Sequence, residues 1–257
     1  FSEGFLDYLR HFRFRGDLWA VKEGTAVFPA EPLVVIRAPI IDCTLIEAFL
    51  LLTLNHQTLI ATKAARIVSV AQGRNVLEFG ARRAHGVDAA HFGARAAYIA
   101  GVDGTSNVYS DFACGIPALG TMAHAYVQSF DNEYEAFLQY AKTYPDNTVL
   151  LVDTYDTLHQ GIPNAIRVHR EYLAPRGYKL KGIRIDSGDL AYLSIRAREM
   201  LDAAGLTETK ITVSNSLDEY LIKDLLLQGA KIDSFGVGER LITAKSEPVF
   251  GGVYKIV

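Results

Sequence analysis

One rhythm limits what this chain can fold into: a short β-branched or apolar run, then a small polar cluster, then residues at helical spacing. Asn75 to Phe79 leads into Gly80-Ala81-Arg82-Arg83, and Ala97 to Val102 into Asp103-Gly104-Thr105-Ser106-Asn107. Gly115 to Leu119 leads into Gly120-Thr121-Met122-Ala123-His124, and Thr148 to Val152 into Asp153-Thr154-Tyr155-Asp156-Thr157. Ile183-Arg184-Ile185 precedes Asp186-Ser187-Gly188-Asp189, Ile211 to Val213 precedes Ser214-Asn215-Ser216, and Ile232 to Phe235 precedes Gly236-Val237-Gly238-Glu239. A repeat of roughly 20 to 35 residues is that of βα units, and strands this apolar suit a parallel sheet buried on both faces. About seven units predict an irregular TIM-like α/β barrel with every polar cluster at the carboxyl ends of the strands, around one mouth.

The helices between them carry their own signals. Ser216-Leu217-Asp218-Glu219 reads as a capping box before Tyr220, Leu221, Leu225 and Leu227, with Gly229 as C-cap. Tyr134, Phe137, Tyr140 and Ala141 form another apolar face, stopped near Pro145. The most apolar stretch, Leu45 to Ile60, carries Glu47, Asn55 and His56 and places Leu45, Phe49, Leu52 and Leu59 on one face. It predicts a buried helix, not a membrane span. Residues 1–39 differ: strand-like runs at Trp19 and Val21, Ala26 and Phe28, and Leu33 to Ile36 alternate with Gly24, Pro29, Pro32 and Pro39. They predict part of a smaller β-rich domain that ends near Pro39, leaving residues 40–257 to the barrel.

Charge is nearly balanced, with Lys+Arg 26 against Asp+Glu 29 and a formal net charge of -3, so nothing global calls for nucleic acid. An anion site must then be a local pocket rather than a surface field. Cys43 and Cys114 form no C-x-x-C and show no His partner pattern, which predicts two structural thiols in a reducing cytoplasm. Phe1-Ser2-Glu3-Gly4 has no initiator Met or signal-like core, and Val253 to Val257 looks like a strand stopped midway; both ends are expected to be cut from a longer protein.

The run Ile183 to Leu190 carries the densest chemistry. An apolar strand stops in Arg, Asp, Ser, Gly and Asp, and Leu190, Leu193, Ala197, Met200 and Leu201 continue at helical spacing, so Ser187 or Asp189 can cap a helix. Two readings fit. In one, helix N–H groups, Arg184 and close backbone approach at Gly188 receive a phosphate, while Asp186 or Asp189 holds Mg²⁺ or a sugar hydroxyl. In the other, this is a capped βα turn with a surface ion pair.

Taken together, the motifs Glu78 to Arg83, Asp103 to Val108, Gly120 to His124, Val152 to Thr157, Ile183 to Leu190 and Gly236 to Gly238 resemble the nicotinate phosphoribosyltransferase family over almost the whole chain. The resemblance implies joining of nicotinate to phosphoribosyl pyrophosphate in NAD salvage, a homodimer, Mg²⁺, and ATP as co-substrate through a phosphorylated histidine at His124. It places Arg184, Asp186 and His124 in catalysis, and Asp186 and Asp189 at the metal. Substrate binding would fall to Phe79, Arg82, Ser106, Thr121, Ser187, Gly188, Gly236 and Gly238. Phe79 would stack on the pyridine, with the family's second stacking ring coming from an N-terminal segment beyond this chain. Core packing is the bland reading of Phe79, a solvated pair with Glu78 as surface partner that of Arg82-Arg83, and a tight turn that of Gly236-Val237-Gly238. Ser106 stands where the related nicotinamide-using enzymes carry Asp; a neutral hydroxyl can donate to a carboxylate, which an Asp would repel.

Three features depart from the family pattern. Glu239 follows the Gly-Val-Gly where Thr is usual, Ser216 replaces an Asp, and Gln160 is one added residue after Thr157. A carboxylate at Glu239 should repel phosphate unless it points away or pairs with Arg240. The alternatives are a nicotinamide- or quinolinate-type phosphoribosyltransferase, an aldolase on the same barrel, or a truncated subunit that binds ligand without turnover.

Overall fold

The computed structural model describes residues 1–257, which divide into two compact units, residues 1–58 with 249–257, and residues 59–248. In the first, helix α1 (Glu3–Arg10) starts at Ser2, whose hydroxyl accepts from Phe5 N at 3.3 Å. Strands β1 (Asp17–Ala20) and β2 (Val34–Arg37) form at two of the predicted strand-like runs and pair antiparallel, with Trp19 opposite Val35. The Ala26 and Phe28 run forms no strand. Pro29 and Pro32 beside it have no N–H to give a ladder.

Helix α2 (Ile40–Val70) begins just after Pro39 and runs 31 residues. The helix is as expected; its burial is not, since Phe49 and Leu52 are each 70% exposed. By length and composition α2 is also apolar enough to cross a bilayer, but the Glu47, Asn55 and His56 within it would be expensive there. No strand forms over 249–257; the Tyr254 hydroxyl instead donates to the Cys43 carbonyl at 3.1 Å.

The second unit is built on a six-stranded parallel sheet with order β4-β3-β8-β7-β6-β5. Its strands are β3 (Asn75–Glu78), β4 (Gly104–Thr105), β5 (Val149–Leu151), β6 (Gly182–Ile185), β7 (Lys210–Ser214) and β8 (Ser234–Val237). Between and after them run α3 (Val87–Ile99), α4 (Val108–Cys114), α5 (His124–Gln128), α6 (Glu133–Thr143), α7 (Ile162–Val168), α8 (Leu190–Ala203), α9 (Glu219–Leu227) and α10 (Glu239–Ile242). The α/β class and parallel pairing agree with the sequence reading. β4 and β5 are the edge strands of the hydrogen-bonded sheet.

Two expected strands are revised. The first half of the Ala97 to Val102 run, Ala97 to Ile99, belongs to α3, where Ala90, Ala94, Ala96 and Ala97 bury small side chains; alanine favours the helix, and the strand comes later as β4. Gly115 to Leu119 contributes a single bridge from Ala118 to Thr105, because Gly115 is left-handed at φ 67° and Pro117 lacks an N–H. The α9 cap is also shifted: Asp218, not Ser216, accepts from Tyr220 N and Leu221 N at 3.1 and 2.9 Å. Asn215 and Ser216 sit at φ 89° and 50°, a costly geometry for non-glycine residues at a strand end.

Residues Thr157–Gly161, which include Gln160, form a π-helical turn, with Gly161 N donating to Asp156 O at 2.8 Å. Gly161 is obligatory there, since a Cβ would lie 1.8 Å from Val152 O.

Candidate active site

The six strands of the second unit being parallel, their carboxyl ends face one way, and the polar clusters collect there. At the end of β6, Arg184 is held by three directed bonds: Nε to Ser214 Oγ at 2.8 Å, Nη1 to Thr121 Oγ1 at 2.9 Å and Nη2 to Asp186 Oδ1 at 2.8 Å. Ser214 Oγ, at the end of β7, also donates to Asp186 Oδ1 in a close contact. A guanidinium fixed at three edges loses little further entropy on meeting an anion. Arg184 and Asp186 keep 15% and 22% of their side-chain surface, so a ligand can reach both.

Asp153, at the end of β5, ties this corner to the histidine. Its Oδ1 lies 3.2 Å from His124 Nε2, while Oδ2 accepts from Asp186 N at 2.8 Å and Ser187 Oγ at 2.6 Å. Asp153 is 1% exposed at the side chain and His124 is 38% exposed, so a buried carboxylate orients a ring whose other edge meets solvent. With Nε2–H donated to Asp153, Nδ1 keeps the lone pair. Asp153 and Ser214 are the residues that motif reading does not single out. A signal for Asp153 exists: it is the first polar residue after its strand, as Asp186 is after its own.

Gly188 is left-handed at φ 79°, and Asp189 caps α8 by accepting from Tyr192 N at 3.0 Å. The cap and the ion pair of the second reading are both present, the pair largely enclosed rather than on the surface. Asp189 is thereby engaged with the helix, whereas Asp186 faces Arg184 and Ser214.

On the other side of the sheet, the half-buried Phe79 ring lies against Gly236 of β8: a Cβ built there would sit 2.5 Å from Phe79 Cδ2. The Arg184 guanidinium carbon stands 5.5 Å from the ring centroid, which joins the two corners. Gly238 would place a Cβ 3.1 Å from Phe79 O. The absence of side chains at Gly236 and Gly238 is therefore explained by the ring and by the Phe79 main chain. Ser106 is exposed beyond β4, and Arg82 is exposed on a single 3-10 turn, Ala81–Arg83. Glu78 is not the surface partner of Arg82 and Arg83: it is 0% exposed.

Glu239 does not pair with Arg240. It bonds Lys245 Nζ at 3.1 Å, and that ammonium, with Arg83 and Arg240 adding positive field, holds its carboxyl below the usual range. Arg240 donates instead to Asp218. Cys114 departs from the structural-thiol expectation: it is exposed, and its Sγ lies 3.8 Å from Nε2 of His91, whose Nδ1 is 3.1 Å from Ser110 Oγ.

Residues 1–55 match the nicotinate phosphoribosyltransferase N-terminal domain, and residues 75–247 match the nicotinate phosphoribosyltransferase family. A nicotinate phosphoribosyltransferase of Bacillus subtilis is 53% identical over 259 residues, covering 100% of this chain and 52% of the relative. One from Mycobacterium tuberculosis is 48% identical, covering 100% of this chain and 55% of its own length. The crystal structure of human nicotinic acid phosphoribosyltransferase superposes with a TM-score of 0.86 at 28% identity, over 93% of this chain and 58% of that one. The chain thus spans about half the length of the curated relatives it matches. With family matches covering both the N-terminal segment and the sheet that carries these clusters, the chain belongs to the nicotinate phosphoribosyltransferase family.

Proposed function

We propose that this chain carries the phosphoribosyl pocket of an enzyme that converts nicotinate and phosphoribosyl pyrophosphate to nicotinate mononucleotide and pyrophosphate, a step of NAD salvage. The observation that supports it most is the Arg184, Asp186, Ser214 and Thr121 knot at the strand ends of a chain from this family. Displacement of pyrophosphate at the ribose C1 builds positive charge on the sugar and negative charge on the leaving group. Such a reaction needs carboxylate near the ribose and fixed cations near the phosphates. Asp186 serves the first need, and Arg184 with Arg82 serves the second. Gly188 and the α8 N-terminus offer amide donors beside Ser187, whose hydroxyl proton already goes to Asp153, Thr121 holds Arg184 in place, and the Gly236–Gly238 turn, buried at Gly236 and half-buried at Gly238, would offer backbone to the 5′-phosphate.

Phe79 stacks on the pyridine ring, and the Ser106 hydroxyl donates to the nicotinate carboxylate, a preference for nicotinate over nicotinamide by charge. Asp186 is the carboxylate suited to Mg²⁺, with Asp189 a weaker second because it caps α8. No cluster of three or more His, Cys, Asp or Glu is placed to cage a metal, which fits a cation carried on substrate phosphates. When bound, Mg²⁺ neutralises charge on the departing pyrophosphate.

His124 couples the reaction to ATP. Its Nδ1 attacks the γ-phosphorus, the bond to the β-phosphate oxygen breaks and ADP leaves; water later releases phosphate from the ring. Asp153 stabilises the imidazolium. The exposed Phe49 and Leu52 suit cover by a second copy in a homodimer, and a small-molecule salvage enzyme of this kind works in the cytoplasm. The test is product formation from labelled nicotinate by the full-length protein, with and without ATP, in wild type and His124→Ala. ATP stimulation should vanish in the variant while slow ATP-independent transfer remains; equal loss of both activities would make His124 part of the transfer step itself.

A further inference from the structure

A fully buried carboxylate is an expensive residue to place at a strand end, and Glu78 is 0% exposed. An apolar side chain of similar volume would bury at lower cost. What Glu78 supplies instead is two acceptors at fixed positions. Oε1 accepts from Gly80 N, immediately after Phe79, in a close contact, and Oε2 accepts from Thr105 Oγ1, immediately before Ser106, at 2.6 Å. Thr105 is itself 0% exposed, and its Oγ1 accepts from Asn107 N at 3.0 Å, on the far side of Ser106. The main chain closes the loop, with Ser106 N donating to Glu78 O at 2.8 Å and Phe79 N donating to Val237 O at 2.8 Å.

The surroundings are shaped for that carboxylate. A Cβ at Gly80 would lie 2.7 Å from Glu78 Oε1, 2.7 Å from Gly238 O and 2.6 Å from Ile242 Cβ, so residue 80 must be glycine for the carboxylate to reach its amide. Phe79 and Ser106 therefore sit on two different strand ends, β3 and β4: Glu78 spans Phe79 by holding the Gly80 amide, and Ser106 lies between Thr105, which Glu78 holds, and Asn107, which Thr105 holds.

We infer that Glu78 is a positioning residue that clamps Phe79 and Ser106 in register, so that one pyridine ring meets the aromatic face and the discriminating hydroxyl together. This rests on the proposed function, in which those two residues receive the base. The clamp acts on the base; the phosphate side meets it only where the Arg184 guanidinium carbon stands 5.5 Å from the Phe79 ring, and Arg184 and Asp186 are held by bonds of their own. Its signature is therefore a split between the two substrates, which a general loss of stability would not give.

The experiment compares wild type, Glu78→Gln, Thr105→Val and Thr105→Ser in the full-length protein. Glu78→Gln replaces an acceptor with a donor opposite Thr105, Thr105→Val removes the hydroxyl at constant shape, and Thr105→Ser restores it. Steady-state rates should show KM for nicotinate raised roughly tenfold in the first two, KM for phosphoribosyl pyrophosphate within about twofold, and near-wild-type values for Thr105→Ser. Competition with nicotinamide should show weaker discrimination in the same two variants. Amide hydrogen exchange at Gly80 and Asn107 should quicken by about tenfold or more in Glu78→Gln and Thr105→Val, with remote sheet amides unchanged. Unchanged KM for nicotinate in folded variants, or equal loss for both substrates, overturns the clamp. If wild type forms no nicotinate mononucleotide, the functional reading fails instead, and the exchange at Gly80 and Asn107 decides the clamp alone.

Discussion

At the ends of β6 and β7, charged groups hold one another while still touching solvent; at the ends of β3 and β4, a carboxylate is sealed away and held by an amide and a hydroxyl. Arg184 and Asp186 keep 15% and 22% of their side-chain surface, whereas Glu78 keeps none. The first corner has fixed charge to offer a ligand, the second fixed shape: a ring seated on Gly236 and a hydroxyl beyond Thr105. Burial pushes the Glu78 carboxyl up, against the bonds from Thr105 and the Gly80 amide that favour its ionised form. A pocket for a charged sugar phosphate and a flat aromatic acid needs both kinds of corner.

The largest effect that separates the corners is at Arg184. Arg184→Leu removes three directed bonds and the cation facing Asp186, and should lower kcat/KM roughly 10²–10³-fold. A loss below about tenfold, read in initial rates of nicotinate mononucleotide formation, would dissolve the charge corner. On the shape corner, Gly236→Ala drives a methyl into the Phe79 ring and should raise KM for nicotinate about tenfold, with destabilisation of about 1–3 kcal/mol by urea unfolding. An unchanged KM would free Phe79 from any part in base binding. Ser214→Ala should cost less, about 1 kcal/mol in transition-state stabilisation, because Thr121 and Asp186 still hold Arg184.

The smallest effect is in pH. A glutamate with a folded pKa above its unfolded one binds more protons when folded, so its contribution to stability declines as pH rises through that interval. Wild type should therefore lose stability relative to Glu78→Gln as pH climbs above the ordinary carboxylate range. A difference between the two that stays flat from pH about 4 to 8 would show that Glu78 is not held in the buried state described.

The charge corner was largely legible in the sequence, because Arg184, Asp186, Ser187, Gly188 and Asp189 are consecutive and the helix signal follows at once. Asp189 caps α8, and Gly188 takes the left-handed turn, as local chemistry dictates. The partners that lock the corner were not legible. Asp153 and Ser214 come from other strands, 33 and 28 positions from Asp186, and only the parallel register brings them in.

Local pattern also misjudged burial. Glu78 beside two arginines looks like a surface partner, yet the β3–β8 and β3–β4 pairings enclose it. Ala97 to Val102 looks like a strand because buried helices and buried strands share the same small apolar residues. Phe49 and Leu52 look like core and are exposed. Cys114 and His91 meet although 23 positions apart, on neighbouring helices that no spacing rule links.

The central claim is that these two corners receive one phosphoribosyl donor and one pyridine carboxylate. It is tested most directly by incubating the full-length protein with labelled nicotinate and phosphoribosyl pyrophosphate, with nicotinamide and quinolinate as competitors, and identifying the product. The account predicts nicotinate mononucleotide with release of pyrophosphate, competition by neither analogue at equal concentration, and increased reaction of nicotinamide in Ser106→Asp. Turnover of nicotinamide or quinolinate as fast as nicotinate by wild type, or no nucleotide product at all, would contradict it.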